Sequence, residues 1–101
     1  MSRLELQATL ETILGTDYVY FQPPESLKLR YPCIIYSLSN IQSEDADNKT
    51  YRFMRRYTVM YITDDPDDDK ADEFLALPYC SFDRQYVSEN MYNNVYTIYN
   101  K

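Results

Sequence analysis

The stretch Tyr57-Thr58-Val59-Met60-Tyr61-Ile62 limits what this chain can fold into more than any other. Alternate residues of an extended strand point to opposite faces, so Tyr57, Val59 and Tyr61 share one face and Thr58, Met60 and Ile62 the other. Both sets are apolar enough to be covered, which places the strand, read as Tyr51 to Thr63, in the interior of a sheet. Cys33 to Gln42 supplies a neighbour, with Ile34, Tyr36 and Leu38 on one face and Ile35 on the other. The polar segment Ser43 to Lys49 lies between them, so the two strands read as one long antiparallel hairpin with that segment as its tip.

A sheet with an apolar face needs a layer against it, and the first helix is well marked. Ser2 followed by Glu5 has the spacing of a capping box. Leu6, Leu10, Ile13 and Leu14 then fall on a single stripe. Gly15, the only glycine, stands where a helix ends in a positive-φ residue. Tyr18 to Phe21 is a short β-prone run. Pro23 to Pro32 contains three prolines and continues neither a helix nor a central strand, so it reads as an ordered loop or arm. Within it, Leu27 and Leu29 cover part of the core or reach a neighbour.

Asp65-Pro66 is the expected start of a second helix, with Asp67 to Asp69 in its first turn, where the helix dipole favours anions. Ala71, Phe74 and Leu75 give that helix its buried side and Pro78 ends it. Cys80 to Val87 and Asn94 to Tyr99 follow as a terminal β-hairpin around Ser88-Glu89-Asn90. The order is α-β-(arm)-β-β-α-β-β. It predicts an α+β fold, a mostly antiparallel sheet of four to five strands with two helices packed on it, in one domain spanning residues 1–101.

Composition narrows the function. A chain of 101 residues holds one core, and 45% hydrophobic residues suffice to build it. No apolar run approaches the roughly 18 to 20 residues that span a bilayer, and no signal-peptide pattern opens the chain, so folding in a cytoplasm is expected. Cys33 and Cys80 are then expected to be two free, buried thiols rather than a disulfide. A net charge of −6 opposes tight nucleic-acid binding, although an acidic surface lets DNA pass without sticking. Twelve tyrosines and no tryptophan suit both half-buried sheet faces and contacts between subunits.

Chemistry finds little to work with. Histidine is absent, which removes the usual base for a Ser or Cys nucleophile and the usual zinc ligand. One glycine cannot make a phosphate loop. Asp65, Asp67 and Asp69 have the spacing of the first calcium-loop ligands, but the sixth position is Lys70 instead of Gly and the twelfth is Ala76 instead of Glu. Helix capping explains the same aspartates. The expectation is a protein that is not an enzyme and has no metal or other cofactor. Arg52, Arg55 and Arg56 form the main basic cluster, with Arg55 and Arg56 on opposite faces. They read either as solvated charge or as a patch meeting the acidic helix terminus of an adjacent subunit. Asp83 and Arg84 read as an ion pair or an interface contact.

Several segments together resemble a known family. They are Val19-Tyr20-Phe21-Gln22-Pro23-Pro24, Tyr31-Pro32-Cys33-Ile34-Ile35-Tyr36, and Ala46-Asp47-Asn48 before a Tyr-rich strand. Asp64-Asp65-Pro66-Asp67, Phe82-Asp83-Arg84 and the closing Tyr-rich strand complete the pattern. They are similar to the tail terminator (tail completion) and minor tail or neck proteins of siphophages, over most of the chain and through structural motifs. The resemblance implies a structural virion protein in the tail or neck, forming a hexameric ring that caps the tail tube and joins it to the head-completion or connector proteins. A sheet edge or hairpin of each subunit would pack on the next, with DNA passing non-specifically through the lumen. Asn93-Asn94 stands where the family usually has a histidine near the last strand. Subunit-interface candidates are Arg52, Arg55, Arg56, Asp83 and Arg84. Acidic candidates for the lumen or a partner are Asp45, Asp47, Asp67, Asp68 and Asp69. The alternatives are a head-closure or other neck ring on the connector side, and an acidic DNA-mimic inhibitor of a host enzyme.

Overall fold

A computed structural model describes the backbone of residues 2–46 and 49–100 and the side chains of residues 2–41 and 54–99. The chain order is α1 (Arg3–Leu14), β1 (Val19–Phe21), β2 (Cys33–Ala46), β3 (Lys49–Thr63), α2 (Lys70–Leu75), β4 (Cys80–Ser88) and β5 (Met91–Asn100). The strands form one five-stranded sheet in the order β1-β2-β3-β5-β4. Every neighbouring pair is antiparallel except β1 with β2. This is the expected α+β architecture, with β3 at its centre.

The two helices lie on one face of the sheet. Leu6, Leu10 and Leu14 are the buried stripe of α1, started by Ser2, whose Oγ accepts from the Glu5 backbone N–H, and stopped at Gly15 with φ 84°. Ile34 and Tyr36 of β2, Tyr57, Val59 and Tyr61 of β3, and Tyr96 and Ile98 of β5 meet the helices in one cluster. Burial of that cluster is the main source of stability, at about 1.5–3 kcal/mol for each large side chain. Phe74 is the only buried residue of α2 and stacks on Tyr96 at 4.5 Å between ring centroids. The opposite face is also partly covered, since Cys33, Ile62 and Val95 are buried there. The reading of β3 as a strand apolar on both sides therefore holds.

Three boundaries differ from the sequence-based expectation. The hairpin is longer than its polar tip suggests: β2 continues to Ala46 and β3 starts at Lys49. Backbone pairing overrides the low strand preference of this Ser/Asp/Asn-rich segment. Second, α2 begins only at Lys70, with Asp69 as a cap that makes no side-chain bond. Asp65 to Asp69 form turns instead: the Asp65 carboxylate accepts from the Asp67 N–H at 3.0 Å, and Asp68 accepts from the Lys70 N–H at 2.8 Å. Short carboxylates that bond backbone two residues on compete with helix formation, which is why helix starts here late. Third, the closing hairpin is tighter. β4 and β5 are joined by Glu89-Asn90 alone, both at positive φ (52° and 64°). That is the geometry of a type I′ turn, whose twist matches the flanking strands.

β5 is paired as far as Arg55, and beyond this point β2 and β3 pair only with each other among the described residues. They project as a two-stranded ribbon and stretch the molecule to 51 Å along its longest axis. Ser39 has no partner between the pairs Leu38–Tyr57 and Asn40–Arg56, forming a bulge at the ribbon's base.

Candidate assembly surface

The candidate residues do not converge on one place. Arg55 and Arg56 sit near the ribbon's base on β3, opposite Asn100 and Tyr99. Arg55 is exposed, while Arg56 is half-buried and donates from Nε to Ser39 Oγ at 3.2 Å. The same hydroxyl donates to the Arg56 carbonyl at 2.8 Å, so Arg56 is tied to the bulge. The two arginines take opposite faces, as expected. The turn from Asp64 to Asp69 follows the other end of β3, so one subunit keeps its basic and acidic segments apart. The side chains of Asp45 and Arg52 lie outside the described residues, as does Asp47 altogether.

The acidic turn is internally occupied. Asp68 is half-buried and accepts from the Tyr61 hydroxyl at 2.5 Å through Oδ2 and from the Lys70 N–H through Oδ1. Burial and the neighbouring Asp68 both push the Tyr61 phenol well above its usual pKa. Asp67 and Asp69 remain exposed to solvent. Among the described residues no group of three or more His, Cys, Asp or Glu is placed to hold a metal ion.

Cys33 is buried and Cys80 half-buried, and both are free. Loss of solvent raises each thiol to about 11, so neither is a nucleophile at neutral pH. Cys80 is thus less enclosed than its apolar flanks suggest, because it opens an edge strand.

Strand β4 forms one edge of the sheet. Every residue of β4 after Cys80 is exposed, including Phe82, Tyr86 and Val87 at 49, 39 and 64%. Phe82 leans edge-on against Tyr96 at 5.6 Å, which places it on the helix-bearing face. A bulge at Asp83 turns Arg84 to the other face, where it lies over the Tyr86 ring at 5.9 Å. Tyr86 in turn donates to the Met60 sulfur at 3.7 Å. Leu75 and Tyr79, 47 and 57% exposed, extend the apolar surface toward α2. Asp83 and Arg84 are therefore the polar part of a larger apolar strip. The sequence signal for it was available: a last hairpin apolar on both faces has more apolar surface than one core face can cover.

A second apolar recess lies on the face away from the helices. The proline-rich arm folds over β2 so that Pro23, Pro24, Leu27 and Leu29 line a groove with Ile35 and Ser37. Leu27 and Leu29 line this recess and lie outside the main core cluster, and Leu27 is 42% exposed.

No protein-family model matches this sequence, and no curated protein matches it.

Proposed function

We propose that this chain is a structural subunit of a homo-oligomeric ring at the head–tail junction of a tailed bacteriophage, ending the tail tube and joining it to the head-completion proteins. The observation that carries the assembly part is the exposed edge strand β4, where Phe82 and Val87 on the helix-bearing face and Tyr86 on the other make an apolar strip along the sheet edge, with Leu75 and Tyr79 also exposed. A strip of this kind on a small acidic domain marks a protein–protein contact. The projecting ribbon gives each subunit a second element able to reach a neighbour. The net charge of −6 suits a channel through which DNA slides without binding. The junction itself is supported by the family resemblance of the segments quoted above.

The test combines solution mass with a tail-binding assay. Light scattering on the purified chain should give an oligomer, and added tail tubes should carry it at one end and regain head attachment. A chain that binds heads but ignores tubes would instead be a neck ring on the connector side. A monomer that ignores both and competes with DNA for a nuclease would refute the ring.

A further inference from the structure

A free row of N–H and C=O groups on an edge strand recruits another strand, and folded proteins blunt such edges with proline, charged side chains (lysine above all), bulges or shortness. β4 is nine residues long and holds neither proline nor lysine. Its one irregularity is the bulge at Asp83, after which Arg84–Ser88 pair regularly with β5. The opposite end of the same sheet is also open. β1 pairs only along Ile34–Tyr36, so from Ser39 onward β2 has no strand at its outer edge among the described residues. Ile41 lies on this open stretch, 47% exposed.

We infer that β4 of one copy pairs antiparallel with the outer edge of β2 in a second copy, positions 84–88 along 40–44, with Val87 opposite Ile41. This pairing rests on the ring reading and names the two edges that make the ring's seam. Strand directions carry it. β3 runs against β2, β5 against β3 and β4 against β5. A second copy in the same orientation therefore presents β2 antiparallel to β4, with its helices on the same side of the sheet. No inversion is needed, so the contact repeats by rotation, as a head-to-tail ring requires. Pairing of β4 with β4 would need a two-fold axis and would end after two copies.

Side-chain chemistry fixes the register. Ile41 stands opposite Arg55, on the face of Tyr57, and Val87 stands opposite Tyr92, on the face of Tyr96. Both exposed aliphatic side chains thus lie on the helix-bearing face, and the proposed register buries them against each other. It also staggers successive copies by about eight residues, or about 26 Å along the strands. Such a stagger tilts strands against the ring axis, as in closed barrels.

Single variants Ile41→Cys and Val87→Cys, in a Cys80→Ala background that leaves only the buried Cys33, test the seam. Mixed in equal amounts and mildly oxidised, the two should give a disulfide-linked dimer that neither gives alone. Self-linking of Val87→Cys at equal yield would overturn the head-to-tail pairing in favour of a two-fold one. Absence of the mixed link, with the oligomer intact by light scattering, overturns the edge assignment and leaves the ring standing. A persistent monomer that also ignores tail ends removes both. Val87→Lys in the otherwise unchanged chain gives a second reading: self-association should weaken by about tenfold or more, with the melting curve of the subunit unchanged. An unaffected association constant would count against the seam.

Discussion

Tyr36 shows how one side chain joins the layers. Its ring packs between Phe21 at 4.9 Å and Tyr57 at 6.0 Å, while its hydroxyl receives a hydrogen bond from Arg3 and donates one to Gln7 Oε1. Gln7 is held from the other side by the Val19 carbonyl, to which its amide donates at 3.0 Å. Tyr36→Phe keeps the packing and strands the Gln7 oxygen, so urea unfolding should show a loss of about 1–2 kcal/mol. The two thiols make a pH prediction. Both are raised to about 11 in the folded state, so the unfolded chain ionises first. Above the ordinary thiol range the unfolded chain binds fewer protons, and linkage makes stability fall with rising pH. The thiol contribution is intact at neutral pH and is lost as pH climbs toward about 11. Replacing both cysteines with alanine should flatten that part of the stability–pH curve. Cys33 and the helix stripe are legible in the sequence; the half-exposure of Cys80 and the Arg3–Tyr36–Gln7 chain are not, the first because it depends on which strand is the edge, the second because it joins residues 33 and 29 positions apart.

Elements with a local code were read correctly, and those decided by competition were displaced. α1 had cap, stripe and stop in agreement. Gly15 at φ 84° has nothing within 4 Å of where a Cβ would stand, so Gly15→Ala should cost only the backbone strain, about 1 kcal/mol by chemical denaturation. The sequence places the start of α2 four residues early, since its aspartates prefer turns, and its attachment depends on Phe74. Phe74→Ala should cost about 3–5 kcal/mol and loosen α2 first, visible as early amide exchange from residue 70 onward. The Glu89-Asn90 turn lacks the Asn-Gly signature of its type, so the sequence alone suggests a longer break there. Asn90→Gly, relieving a residue at φ 64°, should raise stability by about 0.5–1 kcal/mol in the same urea assay.

At the scale of the whole molecule, the sheet has a closed middle and two open ends. The acidic and basic segments, which suggested an electrostatic contact, stand at opposite ends of β3, whereas the exposed strip on β4 is apolar. Assembly through that strip should persist when salt is raised to about 0.5 M, because screening weakens exposed charge pairs and leaves apolar burial intact. Analytical ultracentrifugation across a salt series decides between them; dissociation at high salt would return the weight to Arg55 and its neighbours. The candidate site is only partly legible in the sequence: Asp83 and Arg84 stand out for their charge, while nothing local tells whether the apolar residues around them are covered. Which strand of a sheet ends up outermost depends on topology, and alternation alone does not reveal it. The bulge at Ser39 has a separate consequence. Because Leu38–Tyr57 and Asn40–Arg56 flank it in register, removing Ser39 would leave every later residue of β2 facing the same way. What it would change is the curl of the ribbon. A single-residue deletion should therefore re-aim the ribbon while leaving the faces of its residues in place, separating where a subunit points from what it touches.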